Sequence, residues 1–161
     1  MKKFYLIIII LIIALNIQAC KNKEEIIYEK EILLNNNLWA KNEIIKFNFN
    51  INDTSKIYSC LIKIKIDTNY NYNKFIFSTT LKTPDGSYRQ SGFETKIDED
   101  YKQKSVDKEE GVMIIEKEIY NNIKFKEKGE YEIGVIHNLP QDIFNVQSVE
   151  MKIVERRGNH K

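Results

Sequence analysis

From Ile45 onward, apolar and polar residues change places at almost every step. Ile45, Phe47, Phe49 and Ile51 alternate with Lys46, Asn48 and Asn50, the period of a half-buried strand. Asn52-Asp53-Thr54-Ser55 follows as a turn, since short polar side chains can bond back to the local backbone. A second strand is predicted where Tyr58, Cys60, Ile62, Ile64 and Ile66 face one way and Lys63, Lys65 and Asp67 the other. Asp67 to Asn73 is a polar connector holding Tyr70 and Tyr72, and Phe75, Phe77, Thr79 and Leu81 make a third strand. Thr83-Pro84-Asp85-Gly86 closes it as a tight turn: proline presets φ, and glycine accepts the positive φ that follows.

Later segments alternate less strictly. Tyr88 to Ile97 reads as a fourth strand with a local irregularity at Gly92. The charge-dense stretch Asp98 to Gly111 reads as a long exposed loop, and Ile114, Glu116, Glu118 and Tyr120 as a loosely patterned strand. Tyr131, Ile133, Val135 and His137 restore firm alternation until Leu139-Pro140 breaks it, because proline cannot donate into a ladder. Val149, Met151 and Ile153 mark a last strand, and residues 156–161 a polar tail. Ile26 to Asn37 fits a short helix or an irregular strand, and both stay open. Short strands parted by turn signals predict an all-β fold, an antiparallel β-sandwich over residues 39–155.

The N-terminus breaks this pattern. Lys2 and Lys3 precede an unbroken apolar run from Leu6 to Leu15, too short to span a bilayer as a mature helix. Ile17-Gln18-Ala19-Cys20 then sets a small residue before a cysteine. The order of charged, apolar and small-residue regions is that of a secretory signal, and the cysteine makes it resemble a bacterial lipoprotein signal. Residues 1–19 would be removed, Cys20 acylated, and residues 20–38 would form a tether for a lipid-anchored sandwich. Lys23-Glu24-Glu25 resembles, over three residues, a signal that sends some Bacteroidetes lipoproteins to the cell surface.

Charge removes one class of partner. Without Lys2 and Lys3, the 25 basic residues fall to 23 and equal the 23 acidic ones. A formally neutral mature chain does not suggest a nucleic-acid partner, which would select a basic excess on one face.

Chemistry is sparse. With Cys20 acylated, Cys60 has no cysteine partner and reads as a small buried hydrophobe. Asp98, Glu99, Asp100, Asp107, Glu109 and Glu110 lack the alternate-position acids and central glycine of a calcium loop, and lysines 102, 104 and 108 interleave them. His137 at a strand end and His160 in the tail make neither a metal site nor a nucleophile–base pair. No catalytic residue, metal site or cofactor is assigned. Trp39, Tyr70 and Tyr72, in or beside connectors, are the candidate binding surface, as aromatics that stack on sugars or partner side chains. The alternative is that they cap the ends of the core.

One longer resemblance covers nearly the whole chain. The tyrosine-led strand from Tyr58, the run Asn69-Tyr70-Asn71-Tyr72-Asn73, the strand Phe75 to Leu81 and Thr83-Pro84-Asp85-Gly86 are its centre. Trp39 ahead of Phe47 and Phe49, Phe125 before Gly129-Glu130-Tyr131, and the final Val149 to Val154 strand agree. Together they resemble the gliding-motility-associated lipoprotein of the GldH type from Bacteroidetes. Val112 to Glu118 departs from that pattern, keeping only Gly111 of a glycine- and aromatic-bearing segment. The resemblance implies a lipid-anchored accessory of the gliding and adhesin-secretion apparatus. Its partners would be membrane lipid, through acylated Cys20, and other envelope proteins. It would sit in the cell envelope at the outer membrane, on a periplasmic or a surface face. No enzymatic activity is implied; a surface lipoprotein binding glycan through Trp39, Tyr70 and Tyr72 is the alternative.

Overall fold

The computed structural model describes residues 24–98, 101, 105–107 and 111–156. Among the described residues eleven strands, β1 (Glu25–Leu33), β2 (Leu38–Trp39), β3 (Ile45–Ile51), β4 (Ile57–Asp67), β5 (Lys74–Lys82), β6 (Tyr88–Lys96), β7 (Val106–Asp107), β8 (Val112–Ile123), β9 (Gly129–His137), β10 (Ile143–Phe144) and β11 (Val146–Arg156), carry the fold. One sheet has the order β1-β11-β4-β8-β7 and the other β3-β9-β5-β6, while β10 and β2 form a small ribbon. The described strand pairs are all antiparallel. The fold is an antiparallel β-sandwich.

Alternation sets which side chains meet between the sheets. The buried set includes Phe47, Ile51, Ile62, Ile64, Phe75, Phe77, Ile133, Met151 and Ile153, drawn from both sheets into one core. Turn chemistry closes the strands. Gly86 has φ 86°, as the turn after Pro84 requires. Gly129 opens β9 at φ 132°, where an added Cβ would meet Pro84 Cγ at 3.2 Å, so glycine lets the two turns approach. Asn36, Asn37, Asn42, Asn122 and Asn145 also take positive φ, a region asparagine tolerates better than most residues.

Several expectations need correction. Of the two readings left open for Ile26 to Asn37, the irregular strand holds over Ile26 to Leu33, which is sheet and not tether: β1 pairs with β11 from Glu25↔Glu155 to Leu33↔Ser148. A register shift between Ile26 and Tyr28 blurs its sequence pattern. Gly92 marks no irregularity, because the β5–β6 register runs unbroken through Ser78↔Gly92. The loosely patterned segment is β8, a strand of 12 residues. Its pairing with β4 slips on both sides of Cys60, so Ile115 and Tyr120 both end up buried although their positions differ in parity. Within the Asp98 to Gly111 stretch, Val106–Asp107 pairs onto β8 and Val106 packs against the core. Arg156 is the last residue of β11 and not the start of a tail.

Candidate functional site

The sandwich has two unlike ends. At one of them the chain emerges from the N-terminal segment. Glu25, Glu155, Tyr58 and Ile123 stand in one register row across β1, β11, β4 and β8. Arg156 gathers this corner. Its Nη2 donates to Glu118 Oε1 at 2.7 Å, its Nε donates to the buried Ser59 Oγ at 2.9 Å, and Nη1 lies 3.2 Å from Glu24 Oε1. The Asn52–Lys56 turn and the segment from Lys124 to Lys128 lie at this end, since they join β3 to β4 and β8 to β9. Cys20, the lipidation candidate, lies outside the described residues.

The opposite end collects the candidate aromatics. Trp39, Tyr70 and Tyr72 do converge: Trp39 lies 6.2 Å and Tyr70 5.8 Å from Phe75, and Tyr72 lies 5.2 Å from Tyr70. Trp39 is fully buried and Tyr70 is 2% exposed, so neither offers a ring face to a ligand. Their polar atoms are bonded inward, with Trp39 Nε1 donating to Glu43 O at 3.1 Å and Tyr70 OH to Lys74 O at 3.3 Å. Tyr72 is half-buried, and its hydroxyl accepts from Gln141 Nε2 at 2.5 Å. Burial pushes the Tyr70 hydroxyl well above the usual phenol range.

His137 belongs to the same packing. Its ring meets Trp39 edge-on at 5.4 Å, and Nε2 lies 3.1 Å from Ala40 O. Burial holds its pKa below the ordinary imidazole value, so it is neutral and Nε2–H donates to Ala40. Cys60 is fully buried, with its thiol pushed up to about 12, first by burial and then by Glu118. A thiol held protonated in this way is a poor nucleophile. Of the acids in the charged loop, Asp98 accepts from the Tyr101 backbone N–H at 2.9 Å and pairs with Lys96 at 3.1 Å. Asp107 lies in β7, while Glu99, Asp100, Glu109 and Glu110, like His160, lie outside the described residues. No group of three or more candidate metal ligands occurs among the described residues.

Sequence reasoning passed over an apolar patch at this far end. Leu33, Ile44 and Phe144 are 75%, 52% and 64% exposed, each beside a buried partner, Leu34, Ile45 and Ile143. Successive residues of a strand point to opposite faces, so an apolar doublet at a sheet end must present one member to water. Leu33, Leu38 and Ile44 line a groove of about 410 Å³. Phe144 stands directly across from Leu38 in the β2–β10 ribbon, which extends the same face. The three doublets were the available signal.

The architecture is that of a β-sandwich whose chain enters at one end, where Ile26, Ile57 and Tyr88 are exposed, and which carries the Leu33, Ile44 and Phe144 patch at the other. The chain belongs to the GldH lipoprotein family, whose model matches residues 26–158. A lipid-anchored location in the cell envelope follows from that membership. Among curated proteins no match is found. Similar solved structures include the VP2 subviral particle of infectious bursal disease virus, 11% identical, TM-score 0.44, covering 83% of this chain and 34% of that one. Dimeric latent PorU from Porphyromonas gingivalis is 7% identical, TM-score 0.38, covering 81% of this chain and 13% of that one. A fructofuranosidase from Schwanniomyces occidentalis is 8% identical, TM-score 0.40, covering 84% and 35% respectively. The chain thus spans about a third or less of each of these proteins.

Proposed function

We propose that this lipoprotein is a non-catalytic accessory and assembly component of the gliding motility and associated secretion machinery. Acylated Cys20 holds it at the outer membrane, and it docks other envelope proteins. The observation that carries the docking role is the apolar face of Leu33, Leu38, Ile44 and Phe144 at the end away from the tether. Clustered exposed apolar side chains cost solubility, and a soluble domain keeps them where a partner covers them. The glycan reading has less behind it, because Trp39 and Tyr70 are packed into the core and only Tyr72 retains exposure.

Capture of tagged, acylated protein from native envelopes, with partners identified by mass spectrometry, tests the proposal. Recovery of gliding or secretion components is expected, and Leu33→Ser with Phe144→Ser should reduce that recovery about tenfold, the factor for roughly 1.4 kcal/mol of lost contact. Recovery of no such component, or equal recovery with the double variant, would overturn it.

A further inference from the structure

The end of the sandwich where the chain enters carries a second surface feature. Between Tyr120 and Gly129 the chain reads Asn121-Asn122-Ile123-Lys124-Phe125-Lys126-Glu127-Lys128. Phe125 is buried, packing 4.7 Å from Tyr131, 5.5 Å from Tyr58 and 5.9 Å from Phe49. It nails the segment down, and the lysines on either side are left exposed. Lys124 and Lys126 join Thr54, Ser55 and Phe125 around an open concavity of about 600 Å³. Two ammonium groups and the Thr54 hydroxyl are donors that a phosphate oxygen takes, the Ser55 hydroxyl being given to Asp53.

Part of the counter-charge at this end is engaged, while Glu25 is exposed and Asp85 is bonded, among the described residues, only to Thr83 and Ser87. Glu155 pairs with Lys56 at 2.7 Å, and Glu24 and Glu118 are held by Arg156. Asp53 accepts from the Ser55 backbone N–H and hydroxyl and lies in the field of Lys56 and Lys128, while Glu127 and Glu130 are exposed beside the lysines. None of the three lysines forms an ion pair with another described residue.

Chain length limits how far this surface can lie from the anchor. Only Lys21, Asn22 and Lys23 separate Cys20 from Glu24, and an extended chain covers at most about 3.6 Å per residue. Glu24 is therefore within about 14 Å of the acylated residue. The register row from Glu25 to Ile123 crosses three strand spacings, about 14 Å more along the bottom of the sheet.

We infer that the tether-side end of the sandwich lies on the bilayer, with Lys124, Lys126 and Lys128 against the phosphates of anionic lipid headgroups. This rests on the lipid anchor at Cys20. Lysines within a Debye length of an acidic membrane, about 8–10 Å, are drawn to it. Docking in this pose stands the strands off the membrane and turns the Leu33, Ile44 and Phe144 face outward. β4, with its 11 residues, would carry that face about 35 Å from the lipid.

The test uses mature acylated protein taken from envelopes and reconstituted into vesicles of phosphatidylcholine and phosphatidylglycerol that carry a headgroup nitroxide lipid. A fluorophore is placed at Glu127→Cys or, at the far end, at Asn71→Cys; buried Cys60 does not compete for the label. Quenching several-fold stronger at position 127 than at 71 is expected. It should fall toward the level at 71 with Lys124→Glu, Lys126→Glu and Lys128→Glu together, in phosphatidylcholine alone, or for the unaltered lysines in high salt. Equal quenching at the two positions, or quenching at 127 indifferent to charge reversal, lipid charge and salt, overturns the pose and leaves the anchor standing. Protein absent from the vesicle fraction overturns the anchor and the pose together.

Discussion

The Arg156 guanidinium lies 3.2 Å from Glu24, joining the last described residue of the chain to the first. The same guanidinium bonds Glu118 and the buried Ser59 hydroxyl, so three strands and the chain's entry meet at one side chain. Arg156→Ala leaves the Ser59 hydroxyl without its donor. A loss of about 1–3 kcal/mol is expected by denaturant unfolding, mostly from the unsatisfied buried oxygen, because the charge pairs are partly exposed. Arg156→Lys should recover little, since an ammonium cannot reach three acceptors in a planar fork.

Trp39 is the single tryptophan and reports on the core without a label. Its emission in the folded protein should be blue-shifted and insensitive to iodide, shifting red only on unfolding. Trp39→Ala should cost about 3–5 kcal/mol. Strong iodide quenching in the native state would revive the ring as a ligand platform.

Acid should weaken the fold before its carboxylates titrate. An unfolded histidine takes its proton near pH 6.5, while burial holds His137 lower in the folded state. Between those two values the unfolded chain binds more protons, so stability falls as pH drops from about 7.5 toward 5. The carboxyl groups held low in the fold, Glu31, Asp53, Asp85 and Asp98, act only in more acidic solution. In thermal melts, His137→Gln should flatten the pH 5–7.5 slope. An unchanged slope would remove His137 as its source.

Thiol counting separates the two cysteines. Native acylated protein should show no thiol reactive to a maleimide, and denatured protein one, from Cys60. A fast-reacting thiol in the native protein would mean that Cys20 carries no acyl thioether.

Strict alternation made β3, β4, β5 and β9 legible, because residues on each had one buried and one wet face. Edge strand β1 has little buried on either face, so Ile26-Ile27 and the register shift beside them left no period to read. β8 lost its period to irregular pairing around Cys60 that no local residue announces. The aromatics of the connectors were visible as residues, but their burial depends on how β2, β5 and β9 close the end of the sandwich. The outward halves of the doublets at Leu33, Ile44 and Phe144 became a surface only once three distant segments met.

The docking role is tested most directly by photocrosslinking in living cells. A photoreactive residue at position 144 lies in the apolar face, and one at position 88, 74% exposed as Tyr88, lies at the tether end. Adducts with gliding or secretion components from position 144, and none from position 88, are the predicted result. No adduct at 144, or the same adducts from both positions, would contradict it.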